Sequence, residues 1–178
     1  MALSRRTAIR YGLGGAIALA AGGVGLSLQR TEVRSPARPL RVLDERTFSI
    51  LAAVADRIAP ARGDFRSASD LQVAEKIDDL LATVDPAVVV EVTQVLKLLE
   101  NGLAGLVFDG RPRAFTALDA PDQDRALAAW KGSRWSVRRT AYKALHGLCA
   151  AAYYASPEVY PTVGYPGPPD FGNVAERR

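Results

Sequence analysis

Residues 85–106 read "DPAVVVEVTQVLKLLENGLAGL", and two local structures compete for them. Val88, Val89, Val90 and Val92 are β-branched and favour a strand. The apolar spacing decides for a helix. Val89, Val92, Leu96, Leu99, Leu103 and Leu106 recur at steps of three and four, the period of a helix face. Asp85 supplies an N-cap and Pro86 suits the first turn. Val88, Val90 and Val95 widen the apolar surface beyond one stripe, so this helix is expected to be central and packed on several sides.

The same spacing extends outward. In "LDERTFSILAAVADRIAP", Asp44 is the start signal, Phe48, Leu51, Val54, Ala55 and Ile58 share a face, and Pro60 closes the helix. Asp70 is read as the cap of "LQVAEKIDDLLATV", with Ala74, Ile77, Leu81 and Val84 on one side. Asp119 caps a helix ending near Trp130, and a last helix covers about 135–155 with Val137, Ala141, Ala144, Leu145, Leu148 and Ala152 on one face. No alternating strand pattern of useful length interrupts them. The fold class is therefore all-α: a single bundle of about five helices, residues 43–155, followed by an extended Pro/Tyr-rich C-terminal tail.

The flanks differ from the body. Residues 1–30 hold Arg5, Arg6, Arg10 and Arg30 and no acid, so they account for the whole net charge of +4. Residues 31–178 are neutral, without the basic footprint of a nucleic-acid binder. A basic start followed by a Gly/Ala-rich uncharged run is the order of a secretory leader. "SRRTAIR", with Arg5 and Arg6 paired, resembles the twin-arginine signal that exports folded proteins, although Ala8 stands where a bulky Phe is usual. A membrane anchor with Arg30 at its far interface is the competing reading. Residues 31–42 are polar, with Pro36 and Pro39, and read as an extended linker.

The tail, 156–178, contains five prolines by Pro169, which preclude regular helix. Tyr153, Tyr154, Tyr160, Tyr165, Pro166 and Phe171 make this end aromatic and stiff, suited to docking on a surface, its own or a partner's.

Groups able to do chemistry are few. His146 and Cys149 are the one His and the one Cys, three apart on the last helix, with no further His or Cys to complete a metal or nucleophile site. Cys149 is either a packed small residue or the partner of a cysteine on another chain. Asp78 and Asp79 are neighbours about 100° apart on a helix, and Asp119, Asp122 and Asp124 sit in first turns; both clusters read as solvated faces. Arg134, Arg138 and Arg139 form a basic patch beside Trp135. No glycine-rich phosphate loop follows a strand pattern. These residues propose no catalytic, cofactor-binding or metal site in this chain.

Three segments in order, "FSILAAVADRIAPARG", "FTALDAPDQDRALAAW" and "AAYYASPEVYPTVGYPGP", resemble the gluconate 2-dehydrogenase subunit 3 family. The loop after "DRIAP" lacks the acid and second proline usual there. The resemblance implies a small, non-catalytic subunit of a periplasmic, inner-membrane-associated dehydrogenase. It implies a partner of the glucose–methanol–choline oxidoreductase type that carries FAD and no export signal. It also implies a multihaem cytochrome c, with haem c, as a third subunit, and export of the assembly through the twin-arginine translocon. The alternative from the residues alone is a stand-alone exported helical ligand-binding or scaffold protein.

Overall fold

The computed structural model describes residues 31–102, 105, 110 and 112–168. Residues 1–30, read as a leader or anchor, and Leu103, Leu106 and Phe171 lie outside the described residues. Five α-helices follow one another among them: α1 Glu45–Ile58, α2 Val73–Leu81, α3 Pro86–Glu100, α4 Ala120–Lys131 and α5 Ser136–Tyr154. Two 3₁₀ turns, Phe115–Ala117 and Pro157–Val159, complete the order. The protein is an all-α bundle of about five helices.

Helix α1 is its centre. Asp44 accepts a hydrogen bond from the backbone N–H of Thr47 at 2.6 Å, Glu45 opens the first turn and Arg57 stands in the last, each favoured by the helix dipole. Nine consecutive residues from Thr47 to Ala55 are buried, and α1 packs against each of the other four described helices. Its Ala52, Ala53 and Ala55 are small, which lets neighbouring helices close in on several sides. Phe48, Ile50, Leu51 and Val54 fill the space between them. Burying each such side chain contributes about 1.5–3 kcal/mol.

Helix α3 corrects the expectation drawn from its valines. It is capped by Asp85, which accepts from the Ala87 N–H at 2.7 Å, and it carries Pro86 in its first turn. It is not central. Only Leu96, Leu99 and Glu100 are buried, whereas Val88, Val90 and Leu98 are each more than 40 % exposed. The helix ends at Glu100, with Asn101 as its C-cap.

Helix α2 also starts differently. Asp70 does not cap it: its carboxylate accepts from the Ser67 N–H at 3.1 Å, while the Ser67 hydroxyl accepts from the Asp70 N–H at 3.0 Å. This reciprocal local turn uses the side chain before the helix begins. Gln72 is the N-cap residue, in the left-handed region at φ 52°, with no side-chain cap. Ala74, Ile77 and Leu81 face the core as read, while Val84 lies beyond the helix and is exposed.

The segment read as a linker is extended, but it is bonded along its length to the bundle. Asp78, fully buried on α2, accepts from the backbone N–H groups of Arg41 (2.5 Å), Val42 (3.1 Å) and Leu43 (2.8 Å). Glu75 accepts from the Ala37 N–H, Asp79 from the Arg38 guanidinium, and Ser49 on α1 from the Arg34 N–H. The reading of Asp78 as solvated is thereby corrected. A buried carboxylate is tolerable because three amides, themselves in need of acceptors, surround it.

Candidate functional site

No group of three or more His, Cys, Asp or Glu that could hold a metal ion occurs among the described residues. The sequence-derived candidates therefore have to be judged as contact surfaces, one residue at a time.

The C-terminal end of α5 sorts the aromatic residues. Tyr153 and Tyr154 are adjacent, so they point about 100° apart. Tyr153 turns inward, 3 % exposed, and its hydroxyl donates to the Arg66 carbonyl at 2.7 Å. Its expected role as a contact residue is corrected: the hydroxyl ties α5 to the loop after α1. Tyr154 points outward at 55 % exposure and meets Tyr153 edge to face, with centroids 5.3 Å apart.

Beyond α5 the chain is compact at first. Ser156 is buried, its hydroxyl donates to the Ala152 carbonyl, and Lys76 on α2 donates to the same hydroxyl at 2.7 Å. Val159 is buried in the core through the 3₁₀ turn. The Tyr165 N–H then returns to the Tyr160 carbonyl at 2.9 Å, and their rings stack edge to face at 5.0 Å. Gly164 makes that return with φ +68°, where a side chain would be strained. The tail up to Tyr160 is thus laid on its own body, and Tyr165 and Pro166 form an outward lip. Tyr154, Tyr160, Tyr165 and Pro166 remain accessible in whole or in part; Phe171 lies outside the described residues.

A cleft of about 320 Å³ opens beside this end, between the loop after α1 and α5, and Phe65, His146, Tyr153 and Tyr154 line it. His146 is exposed and sits 5.7 Å from the Tyr142 ring, centroid to centroid. Cys149 faces the core on the inner side of α5 and is 1 % exposed. Burial pushes its thiol up to about 12, so it carries almost no thiolate, the form that exchanges disulfides. In this fold Cys149 packs as a small core residue of α5, whereas His146, three residues before it, is exposed.

The basic patch dissolves in the structure. Arg138 is buried, with its guanidinium 5.2 Å over the Trp130 ring. Arg134 lies over Trp135, and Arg139 donates to the carbonyls of Ser133 and Arg134. Three arginines that look like one patch in sequence serve the α4–α5 corner, where cation–π contacts and carbonyls take their charge.

Sequence reasoning missed the acidic clamp. Glu75, Asp78 and Asp79 hold residues 37–43, and Asp56 pairs with Arg34 at 2.6 Å. The Arg38 guanidinium hydrogen-bonded to Asp79 holds that carboxyl below its usual value. Further out, the Glu32 N–H donates to the Thr116 hydroxyl, which donates in turn to Glu100, itself buried. Clustered acids at 75, 78 and 79, facing arginines at 34, 38 and 41, were the available signal. What was absent was any indication that the two stretches meet.

The family model described as "Gluconate 2-dehydrogenase subunit 3" matches residues 45–167. The chain belongs to that family. The match runs from the first residue of α1 to the Gly167 of the outward lip, so the subunit 3 region includes the folded start of the tail. A search of curated proteins and of solved structures gives no match. For a subunit 3 chain, the accessible lip and the exposed helix faces are the surfaces on which other subunits of a dehydrogenase complex would be met.

Proposed function

We propose that this chain is a non-catalytic subunit that binds the FAD-carrying catalytic subunit of a gluconate-, glucose- or alcohol-type dehydrogenase and escorts it through the twin-arginine pathway to the periplasm. The observation that carries the reading is the family match over residues 45–167. Arg5 and Arg6, heading an uncharged Gly/Ala-rich run, support the export part. On this reading the flavin belongs to a partner of the glucose–methanol–choline oxidoreductase type. A multihaem cytochrome c receives the electrons in a three-subunit complex at the inner membrane. Exposed Tyr154, Tyr165 and Pro166 suit the contact, because aromatic and proline side chains lose little conformational freedom on docking.

The test is co-expression of the full chain with a flavin-carrying glucose–methanol–choline-type subunit from the same genome, followed by fractionation. Expected: the flavin subunit reaches the periplasm only with this chain, and Arg5→Lys with Arg6→Lys retains both proteins in the cytoplasm. Full export of the flavin subunit in cells lacking this chain would overturn the escort role.

A further inference from the structure

Residues 31–43 join the uncharged Gly/Ala-rich run to the bundle. A leader peptidase cuts after an Ala-x-Ala-like triplet, two small residues flanking one position, beyond the apolar run. That run ends at Leu28, and the first such triplet past it is Ser35-Pro36-Ala37. The bond offered for cutting is therefore Ala37–Arg38. Hydrolysis there takes up one water, breaks the C–N bond, and leaves a carboxylate on Ala37 and an ammonium on Arg38. Residues 1–37 would then part from the body.

In the fold this triplet lies between two fastened flanks. Before it, the Arg34 N–H donates to the Ser49 hydroxyl at 2.8 Å and the Arg34 guanidinium pairs with Asp56. After it, the Arg38 guanidinium donates to the Glu75 carbonyl and to Asp79, both at 2.8 Å. The Ala37 N–H itself donates to the Glu75 carboxylate at 3.1 Å. A protein that binds an extended peptide does so through the peptide's main-chain hydrogen bonds, with pockets for its side chains. Ser35 and Ala37 are exposed, but the amide of the residue before the cut is already taken, and α1 and α2 hold the backbone on both sides of the triplet.

Resting on the export reading above, we infer that Ala37–Arg38 is a leader-peptidase site withheld by the acidic clamp. The folded body keeps the bond uncut, and local opening of the segment exposes it. The clamp thereby decides whether residues 1–37 stay joined to the subunit. Cutting follows the population of the opened segment, so each clamp bond removed raises its rate.

The test compares a synthetic peptide of residues 20–45 with the purified, folded full chain. Each is incubated with purified leader peptidase in detergent and followed by mass spectrometry. The peptide should be cut between Ala37 and Arg38, and the folded chain at least about tenfold more slowly. Arg34→Ala with Arg38→Ala loosens the segment from its own side, and Asp79→Ala loosens it from α2. Both should keep the helical circular-dichroism spectrum and speed the cut, the double variant by about tenfold. Agreement between the two separates release of the clamp from altered recognition by the peptidase. Ala37→Trp, in the peptide and in the loosened chains, should abolish the cut, because a bulky side chain replaces the small one that is read. A peptide left whole at Ala37–Arg38, or a folded chain cut as fast as the peptide, overturns the proposal. So do loosened chains that fold and are cut no faster. Retention of the unaltered chain in the cytoplasm would count against the export reading alone, since this comparison needs no export.

Discussion

Helices α1 and α3 are of similar length, 14 and 15 residues, and both are rich in aliphatic side chains. One is the axle of the bundle and the other lies at its edge. The difference follows from how closely each can be approached. Helix α1 alternates Ala52, Ala53 and Ala55 with Ile50, Leu51 and Val54, so neighbours reach its backbone on several sides. Helix α3 meets the core along one side only: Leu96 and Leu99 are buried and Val89, Val92 and Val95 half-buried against it, while Val88, Val90 and Leu98 face outward. Apolar character on all sides signals contact, but the contact need not come from the same polypeptide.

Several measurements would break or sharpen this contrast. The largest effect is expected from Leu51→Ala, at a fully buried site on α1. It should cost about 2–5 kcal/mol in urea unfolding, from lost burial plus the cavity left behind. A cost below about 1 kcal/mol would show that α1 is not the packed centre. Next, Asp78→Ala removes the acceptor of three amides on the extended segment entering α1. A loss of about 1–3 kcal/mol is expected, with faster hydrogen exchange at the amides of 41–43. Unchanged exchange there would mean that the amides find other acceptors.

Acid should act on the same clamp more weakly. Asp79 titrates below its usual value because of its hydrogen bond from Arg38. Its contribution is therefore complete above the unfolded-state value of about 3.9 and is lost as pH falls through the lower folded value. The Arg38 guanidinium, followed by NMR, should stay anchored at pH 5 and loosen progressively below about pH 4. Release of Arg38 near pH 6 would contradict that order. The smallest effect is expected from Val90→Thr, at a 53 % exposed site on α3. The isolated chain should change by no more than about 0.5 kcal/mol. A larger loss would mean that α3 is buried in solution.

Local signals were read correctly where a side chain acts on its own neighbourhood. Asp44, Asp85 and Asp119 cap their helices by bonding amides two or three residues ahead. Asp70 has the same appearance, yet it turns back to Ser67. The choice between those two local bonds depends on how loop 59–72 packs, including the Ala68 N–H that donates to the Ala59 carbonyl. At the candidate contact surface, the paired tyrosines were legible as an aromatic end of α5. Which of them is sealed inside depended on where the Arg66 carbonyl lies.

By itself the sequence determined the all-α class, most helix boundaries and the family resemblance, because apolar period, caps and prolines act within a few residues. The charge asymmetry of residues 1–30 was equally plain, since counting charges needs no coordinates. Tertiary structure alone decided that α1 is the axle, that residues 31–43 are clamped by Glu75, Asp78 and Asp79, and that Tyr153, Arg138 and Cys149 face inward. These are contacts between residues distant in the chain. A helical pattern fixes which side chains share a face, but the packing of the other helices fixes which face meets water.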